Sequence, residues 1–338
     1  MEEELVICEK VKRLMQKPQP AQRTQEWYDT RKTRVTASAL ASMLVRDEKT
    51  CGRYVEEYGL QDTFDYDNKC CNSYTTFEQF KLDKIKATFK GNIATFWGQR
   101  YEQVATDIYM LINNTVVIEF GLLAHDTLPW LAASPDGITV DGIMLEIKCV
   151  FRRKITGIPM LVYWKQVQSQ LEVADLEYCD FFEVEFQEIS TMSEFLDDSL
   201  QDKPPEYRGL YLQIESVPDE FEARTYTYPD RKLINDPVAL QKWTEETSMK
   251  IIESRNFEVV NQTDNLITCR DQRYTKHNIR TVYWKTATIS NVRIKRDREW
   301  FASVKDTLKE RWDEVLAFKD NYVPGEVKQE QVEYTCMF

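Results

Sequence analysis

Histidine is almost missing from this chain, with His125 and His277 as the only two imidazoles. Serine-hydrolase and histidine-metal chemistries each need a well-placed imidazole, so both are disfavoured. The eight cysteines, at 8, 51, 70, 71, 149, 179, 269 and 336, contain no CxxC pair and few matching intervals. They suggest neither a zinc ribbon nor a disulfide framework, and reduced thiols are expected. No run of about 18 apolar residues occurs, and the opening MEEELVICEK lacks a signal-peptide pattern. These absences predict a soluble intracellular protein with no membrane partner. There is no P-loop, internal repeat or low-complexity tract, so nothing points to ATP.

What the chain does have is enough apolar material for a globular core. Its 338 residues are 42% apolar and 12% aromatic, sufficient for one large domain or two. The net charge of −12 is unevenly spread: Asp175 to Glu206 holds eleven acids against one base, and Arg270 to Arg298 nine bases against two acids. The basic stretch also carries Tyr274, Tyr283 and Trp284, a composition that suits a surface tracking a nucleic-acid backbone and equally a solvated basic face.

The most informative stretch is SPDGITVDGIMLEIKC, Ser134 to Cys149. Asp141-Gly142 favours a two-residue type I′ turn between two strand-like runs, so a β-hairpin is expected. Alternation puts Met144, Glu146 and Lys148 on one face and Leu145, Ile147 and Cys149 on the other, the apolar face packing inward. Folding back brings Asp136 near Glu146 and gathers two carboxylates and one ammonium. Two carboxylates with a backbone carbonyl are oxygen ligands suited to Mg²⁺ or Mn²⁺, ions that activate water and offset phosphoryl charge. Lys148 would hold or deprotonate the attacking water, or stabilise the transition state. An edge hairpin with a solvated Glu–Lys pair has the same spacing.

Flanking segments add candidates. Residues 24 to 46 predict two short helices, with Thr36 or Ser38 capping the second. Arg31 and Ser38 flank that start, as in an anion site or in plain capping beside a surface arginine. Ile93, Trp97, Val104, Ile108 and Leu111 mark an amphipathic helix from Asn92 to Asn113. Glu102 lies off that stripe, aligned with Gly98 and Ala105, either reaching toward a metal-held water or simply solvated. TVVIEFGLL then predicts a strand. Pro159 is placed to open a helix carrying Tyr163, Gln166, Val167 and Gln170 on one face. YCDFFEVEF reads as a strand with Phe182, Val184 and Phe186 inward. Residues 190 to 290 are loop-rich, with Pro204-Pro205 and a helix from Val238 to Glu253. A last helix carries Trp300, Val304, Leu308, Trp312 and Val315.

Four blocks in order resemble the YqaJ viral-recombinase family, the phage lambda exonuclease type of alkaline nuclease in the PD-(D/E)xK superfamily. They are Trp27-Tyr28-Asp29-Thr30-Arg31 with Thr36-Ala37-Ser38; Trp97-Gly98 with Tyr101-Glu102; Ser134-Pro135-Asp136-Gly137 with Leu145-Glu146-Ile147-Lys148-Cys149; and Tyr163 with Gln166-Val167-Gln168. The likeness covers residues 24 to 188, and the segment around Arg298-Glu299-Trp300-Phe301 resembles the family's close.

The resemblance implies an α/β, restriction-endonuclease-like core, a mixed central sheet flanked by helices with a loop-rich insertion. Its boundaries would be a nuclease core over 1–189, an insertion of unknown role over 190–290, and a closing strand and helix over 291–338. It assigns Asp136, Glu146 and the Ile147 carbonyl to Mg²⁺, with Mn²⁺ able to substitute. Lys148 would be catalytic, with Glu102 and Gln166 supporting the metal or its water. Arg31, Ser38 and Ser134 would grip a terminal 5′-phosphate, with Tyr163 in the DNA-binding set. The implied activity is 5′→3′ digestion of double-stranded DNA by a homotrimer that cooperates with a single-strand annealing protein, in the cytoplasm or nucleus of a host cell if viral. A PD-(D/E)xK endonuclease and a non-catalytic DNA-binding protein are the alternatives. The iron–sulfur branch of the superfamily needs a C-terminal cysteine cluster that Cys336 alone does not supply.

Overall fold

The computed structural model describes residues 5–44, 47–65, 76–86, 91–197, 207–216, 224–234 and 236–322. Pro204, Pro205 and Cys336 lie outside these. In order the chain forms α1 (Glu9–Met15), α2 (Gln25–Lys32), β1 (Val35–Thr36), α3 (Leu40–Met43), α4 (Glu48–Glu57), α5 (Phe77–Lys86), α6 (Ile93–Asn113), β2 (Val117–Ile118), β3 (Leu123–Ala124), β4 (Leu131–Ala133), β5 (Gly137–Thr139) and β6 (Met144–Val150). There follow α7 (Leu161–Ala174), β7 (Tyr178–Ile189), α8 (Met192–Leu196), β8 (Arg208–Ser216), β9 (Thr225–Thr227), α9 (Pro237–Ser254), β10 (Glu258–Thr263), β11 (Leu266–Arg270), β12 (Lys276–Lys295) and α10 (Arg298–Asp320).

Polar side chains open the helices where the sequence supplies them. Thr24, Asp47, Asn92, Asp236 and Asp297 each accept a first-turn backbone N–H, satisfying donors a helix start leaves open. Two expected starts differ. α7 begins at Leu161 behind Met160 rather than at Pro159, whose carbonyl accepts from the Tyr54 hydroxyl at 2.7 Å. Neither Thr36 nor Ser38 caps α3; a 3₁₀ turn over Ala37–Ala39 intervenes and the Ser38 hydroxyl faces Thr36 and Arg31.

The main sheet runs β10-β11-β12-β7-β6-β5-β2, with β8 paired to β12 and β9 to β8. β6 and β7 are parallel, joined by α7, and the neighbouring pairs are antiparallel. A smaller sheet, β1-β4-β3, holds the segment before Ser134. This is the expected mixed sheet flanked by helices. Both faces of β6 are buried, rather than one: Met144 packs with Trp164, Phe181 and Trp300, while Leu145 and Ile147 pack with Tyr101, Phe182 and Trp284. A strand covered on both faces by helices and aromatic side chains leaves no solvated side for Glu146.

The buried stripe of α6 is Tyr101, Val104, Ala105, Ile108 and Tyr109, whereas Ile93 and Leu111 are about half exposed, at 52% and 50%. TVVIEFGLL is broken into β2 and β3, because the N-terminal segment crosses it. Gln19 accepts from Gly121 N–H at 2.7 Å and the Pro20 carbonyl from Leu122 N–H at 3.0 Å. The β5–β6 hairpin forms, but its turn is not type I′. Only Gly142 has positive φ, +89°, and Asp141 does not. Thr139 and Ile143 close a three-residue loop, with Thr139 N–H donating to the Ile143 carbonyl at 2.8 Å.

A Cβ added at Gly137 would sit 2.2 Å from Val117 Cγ1. Gly137→Ala is therefore expected to lower stability by about 1–3 kcal/mol through overpacking of β5 on β2, measured by denaturant unfolding; an unchanged midpoint would contradict that packing.

Where a loop-rich stretch is expected, β8 and β10 to β12 continue the sheet, and β12 runs through the expected boundary at 290 without a break. Its antiparallel register on β7 sets Arg293 beside Asp180, and the residues just beyond β12 meet acids that precede β7. Arg293 pairs with Asp180, Arg296 with Glu172 and Asp175, and Arg298 with Glu177. Tyr283 and Trp284 are buried, at 5% and 1% exposure, and Tyr274 alone of the three aromatics is on the surface. The far end of the basic stretch is thus spent on internal pairing, not on a backbone-tracking face. Cys8, Cys149, Cys179 and Cys269 are free, but Cys51 is disulfide-bonded, against the expectation of reduced thiols throughout. Spacing along the chain carries no signal for a contact made only on folding.

Candidate active site

Asp136 stands just before β5 and Glu146 on β6, so the hairpin sets one carboxylate beside the other. The backbone N–H of Ile147 donates to Asp136 Oδ2 at 2.6 Å, which ties the two strands at this point. Glu146 is 2% exposed and surrounded by donors. Lys148 Nζ and Gln166 Nε2 (2.6 Å) both donate to Oε1, and Gln170 Nε2 donates to Oε2 at 2.7 Å. Gln166 and Gln170 are one helical turn apart on α7, so a single face of that helix meets both oxygens.

Burial, followed by repulsion from Glu146 and Glu102, pushes Asp136 well above the usual carboxylate range, with Lys148 and the Ile147 N–H opposing. Glu102 is also raised, by burial first; Arg23 opposes the shift and Glu146 adds to it. Burial works against the charge of Lys148, but Glu146 and Asp136 outweigh it and hold the ammonium above its ordinary pKa. Three acids thus repel one another across a volume that contains a single lysine.

Hard oxygen donors in surplus over the local positive charge fit a divalent cation chemically. As placed, their oxygens are engaged by Lys148, the two glutamines, Ile147 N–H and Arg23, and among the described residues no three acidic, histidine or cysteine side chains form a ready ligand group. The residues that would hold the ion are Asp136, Glu146 and the Ile147 carbonyl, with Glu102 in a supporting position.

Glu102 does not point at open space. It accepts from Arg23 Nη2 at 2.8 Å, and Arg23 sits in left-handed backbone, φ +65°. Arg31 and Ser38 come together, Nη2 donating to Oγ at 3.4 Å. Trp27 connects them to Ser134: its indole N–H donates to Ser134 Oγ at 2.9 Å while the Arg31 guanidinium lies 4.2 Å from its ring. Burial lowers the Arg31 pKa to about 10, which leaves the group charged at neutral pH. Gln170 joins the two clusters by reaching the Ser134 carbonyl at 3.5 Å as well as Glu146. Tyr163 lies instead beside the lysine, with Lys148 Nζ 4.9 Å and the Arg153 guanidinium 5.4 Å from its ring.

Trp27, Gln170 and Arg23 are the contacts that sequence reading did not assign. Gln170 had a signal, because it repeats Gln166 one turn later on a face that is otherwise apolar, where an amide needs a partner. Trp27 stands in a quoted block without a role. Arg23 had no signal, since its contact spans 79 residues.

Three comparisons bear on this arrangement. Residues 26–177 match the model of the YqaJ-like viral recombinase domain. An uncharacterized protein, R354, of Acanthamoeba polyphaga mimivirus is 27% identical over 338 residues, an alignment covering 90% of this chain and 54% of the relative. The chain therefore spans about half the length of the curated relative it matches. Among solved structures, an alkaline exonuclease from Laribacter hongkongensis aligns with TM-score 0.35 and 23% identity, over 69% of this chain and 97% of that one. A phage-related exonuclease from Haemophilus somnus aligns with TM-score 0.34 and 14% identity, over 64% and 96%. The blocks around Trp27, Glu102, Asp136 to Lys148 and Gln166 all fall inside the span, residues 26–177, that is similar to the YqaJ-like viral recombinase domain.

Proposed function

We propose that this protein is a metal-dependent deoxyribonuclease that digests double-stranded DNA from its ends in the 5′→3′ direction, leaving single strands for recombination or repair. The observation that carries the reading is the buried Glu146, held by Lys148, Gln166 and Gln170 beside Asp136 and joined through Gln170 and Ser134 to Trp27 and Arg31. A cleavage site and an anion subsite share one wall. Mg²⁺, or Mn²⁺ in its place, held by Asp136, Glu146 and the Ile147 carbonyl, supplies Lewis-acid activation of water and of the phosphoryl oxygen.

The chain's own groups do the rest. Lys148, kept as an ammonium by its two acids, donates to the oxygen that gains charge as the phosphodiester opens. Gln166 and Gln170 fix the Glu146 carboxylate in one orientation, which spares reorganisation in the transition state. Arg31 offers a planar fork and Ser38 and Ser134 hydroxyls to a terminal phosphate, which carries more charge than an internal diester. Duplex ends, a single-strand annealing protein and a homotrimeric ring are the partners and assembly this reading carries, with residues 1–189 and 291–338 as the nuclease core and 190–290 as an insertion whose last strand, β12, continues into that core.

The test is Mg²⁺ digestion of linear duplexes with 5′-phosphate or 5′-hydroxyl ends beside a closed circle. Loss of linear DNA from the 5′ end with the circle intact is expected; nicking of the circle with no preference among ends would favour an endonuclease. Arg31→Ala is expected to slow digestion of phosphorylated ends by about tenfold or more, from losing about 1.5–3 kcal/mol of hydrogen bonding to a charged group. Hydroxyl ends should change much less. Lys should rescue only in part, since a point charge does not reproduce the fork. Equal slowing of both ends would remove Arg31 from the subsite.

A further inference from the structure

We infer that Lys84 is a further residue of the terminal-phosphate subsite, a positioning residue behind Arg31 that also links the grip on phosphate to proton uptake. The inference rests on the reading of Arg31 as the phosphate residue. Lys84 belongs to α5 and reaches across to α2, where its ammonium donates to the Arg31 carbonyl at 2.8 Å and the Arg34 carbonyl at 2.9 Å. It thereby ties the last turn of α2 to the residue that enters β1. The ammonium lies 5.5 Å from the Phe80 ring and 5.7 Å from Trp312.

Among the described residues, the charges that act on it are of one sign. Arg31 of α2 and Lys319 of α10 are the charged groups that act on it, and both repel it. Of the acids on neighbouring turns, Asp83 accepts from Gln79, and Glu78 and Glu314 are paired with Lys81. Arg31 touches Ser38 and the Trp27 ring, and no acid among the described residues. Several other sheltered cations are matched, as Arg100 is with Glu188, Arg153 with Glu183 and Arg296 with Glu172. Two adjacent sheltered cations without an acid cost folding free energy. A ligand carrying two negative charges would offset that cost on binding, and a terminal phosphate is such a ligand.

Burial, with Arg31 second, lowers the Lys84 pKa to about 7. Above that pH the free protein therefore holds a neutral amine, and below it an ammonium. A phosphomonoester, largely dianionic above about pH 6, favours the ammonium, so binding draws a proton onto Lys84. Preference for phosphorylated ends should fall as pH rises through and beyond about 7.

The experiment is equilibrium binding of blunt duplexes with 5′-phosphate or 5′-hydroxyl ends, in EDTA to prevent cleavage, from about pH 6 to about pH 9. For the wild-type chain the ratio of the two affinities should fall on the order of threefold to tenfold across that range, the reach of about 1 kcal/mol of charge coupling. Lys84→Met should show a smaller ratio that does not vary with pH. Lys84→Arg, which does not titrate here, should keep the high ratio throughout and shows that the fold tolerates substitution. The side-chain ¹⁵N titration of Lys84 in the DNA-free protein should have its midpoint near neutrality. A preference for phosphate that is flat in pH, a Lys84→Met loss equal on both ends, or a midpoint near that of an ordinary lysine would each overturn the role of Lys84 while leaving Arg31 in place. Absence of any phosphate preference in the wild type would overturn the subsite and Lys84 with it.

Discussion

Asp136→Asn and Lys148→Ala are each expected to lower Mg²⁺-dependent cleavage of linear duplex DNA by about 10²–10³-fold or more, the scale on which loss of a charge-stabilising group acts. Asp136→Asn is the cleaner probe: an amide oxygen can still accept the Ile147 N–H, now at 2.6 Å, while the negative charge is gone. Lys148→Ala removes the one cation bonded to Glu146 among the described residues, a carboxylate 2% exposed, and leaves it to Gln166 and Gln170. That variant should also melt lower, because a buried charge without its partner is costly, so its melting temperature belongs beside its rate. Duplex binding should survive in both, since most protein–DNA contacts go to the backbone and lie away from the scissile bond. Cleavage within a few-fold of wild type in Asp136→Asn would take this carboxylate out of the chemistry.

Trp300→Ala is expected to destabilise the chain by about 3–5 kcal/mol, the cost of deleting a buried aromatic ring. Trp300 is 0% exposed, its ring lies 5.2 Å from that of Trp164, and its indole N–H donates to Thr50 Oγ1 at 2.7 Å. The one side chain therefore fastens α10 to α7 and α4. Because α7 carries Gln166 and Gln170, loosening this joint should also blur the setting of Glu146. Trp300→Phe keeps a ring against Trp164 but leaves the Thr50 hydroxyl without its donor, and should cost about 1–3 kcal/mol. Guanidinium unfolding measures both. A change under 1 kcal/mol in Trp300→Ala would mean that α10 is peripheral to the core.

Much of this arrangement is written in local pattern. The hairpin, α6, α7, β7, α9 and the Trp300 to Val315 stripe of α10 follow from periodicity, because each presents one apolar face to a neighbour and 3.6- or 2-residue spacing records that face. Asp136, Glu146 and Lys148 were equally legible, since a hairpin only a few residues long carries its own geometry. Where reading failed, a distant segment decided. Gly121 is pinned by Gln19 and Pro20, and so TVVIEFGLL is two short strands. Asp141-Gly142 favours a two-residue turn, yet Thr139 and Ile143 close a longer loop.

By itself, then, the sequence determined the β5–β6 hairpin, α6, α7, β7 and α10, the carboxylate–lysine pair and the block order that residues 26–177 share with the YqaJ-like model, but not the strands β8 to β12 that form where a loop-rich stretch is expected. Tertiary structure alone decided what each charge meets. Arg23 reaches Glu102, Arg293 meets Asp180 across β12 and β7 while Arg296 and Arg298 just beyond β12 meet Glu172 and Glu177, and Lys84 and Arg31 have no acid bonded to either among the described residues. The reason is range. Side-chain periodicity reports a residue's own element, whereas Coulomb interactions and burial depend on elements that the chain brings together only when it folds.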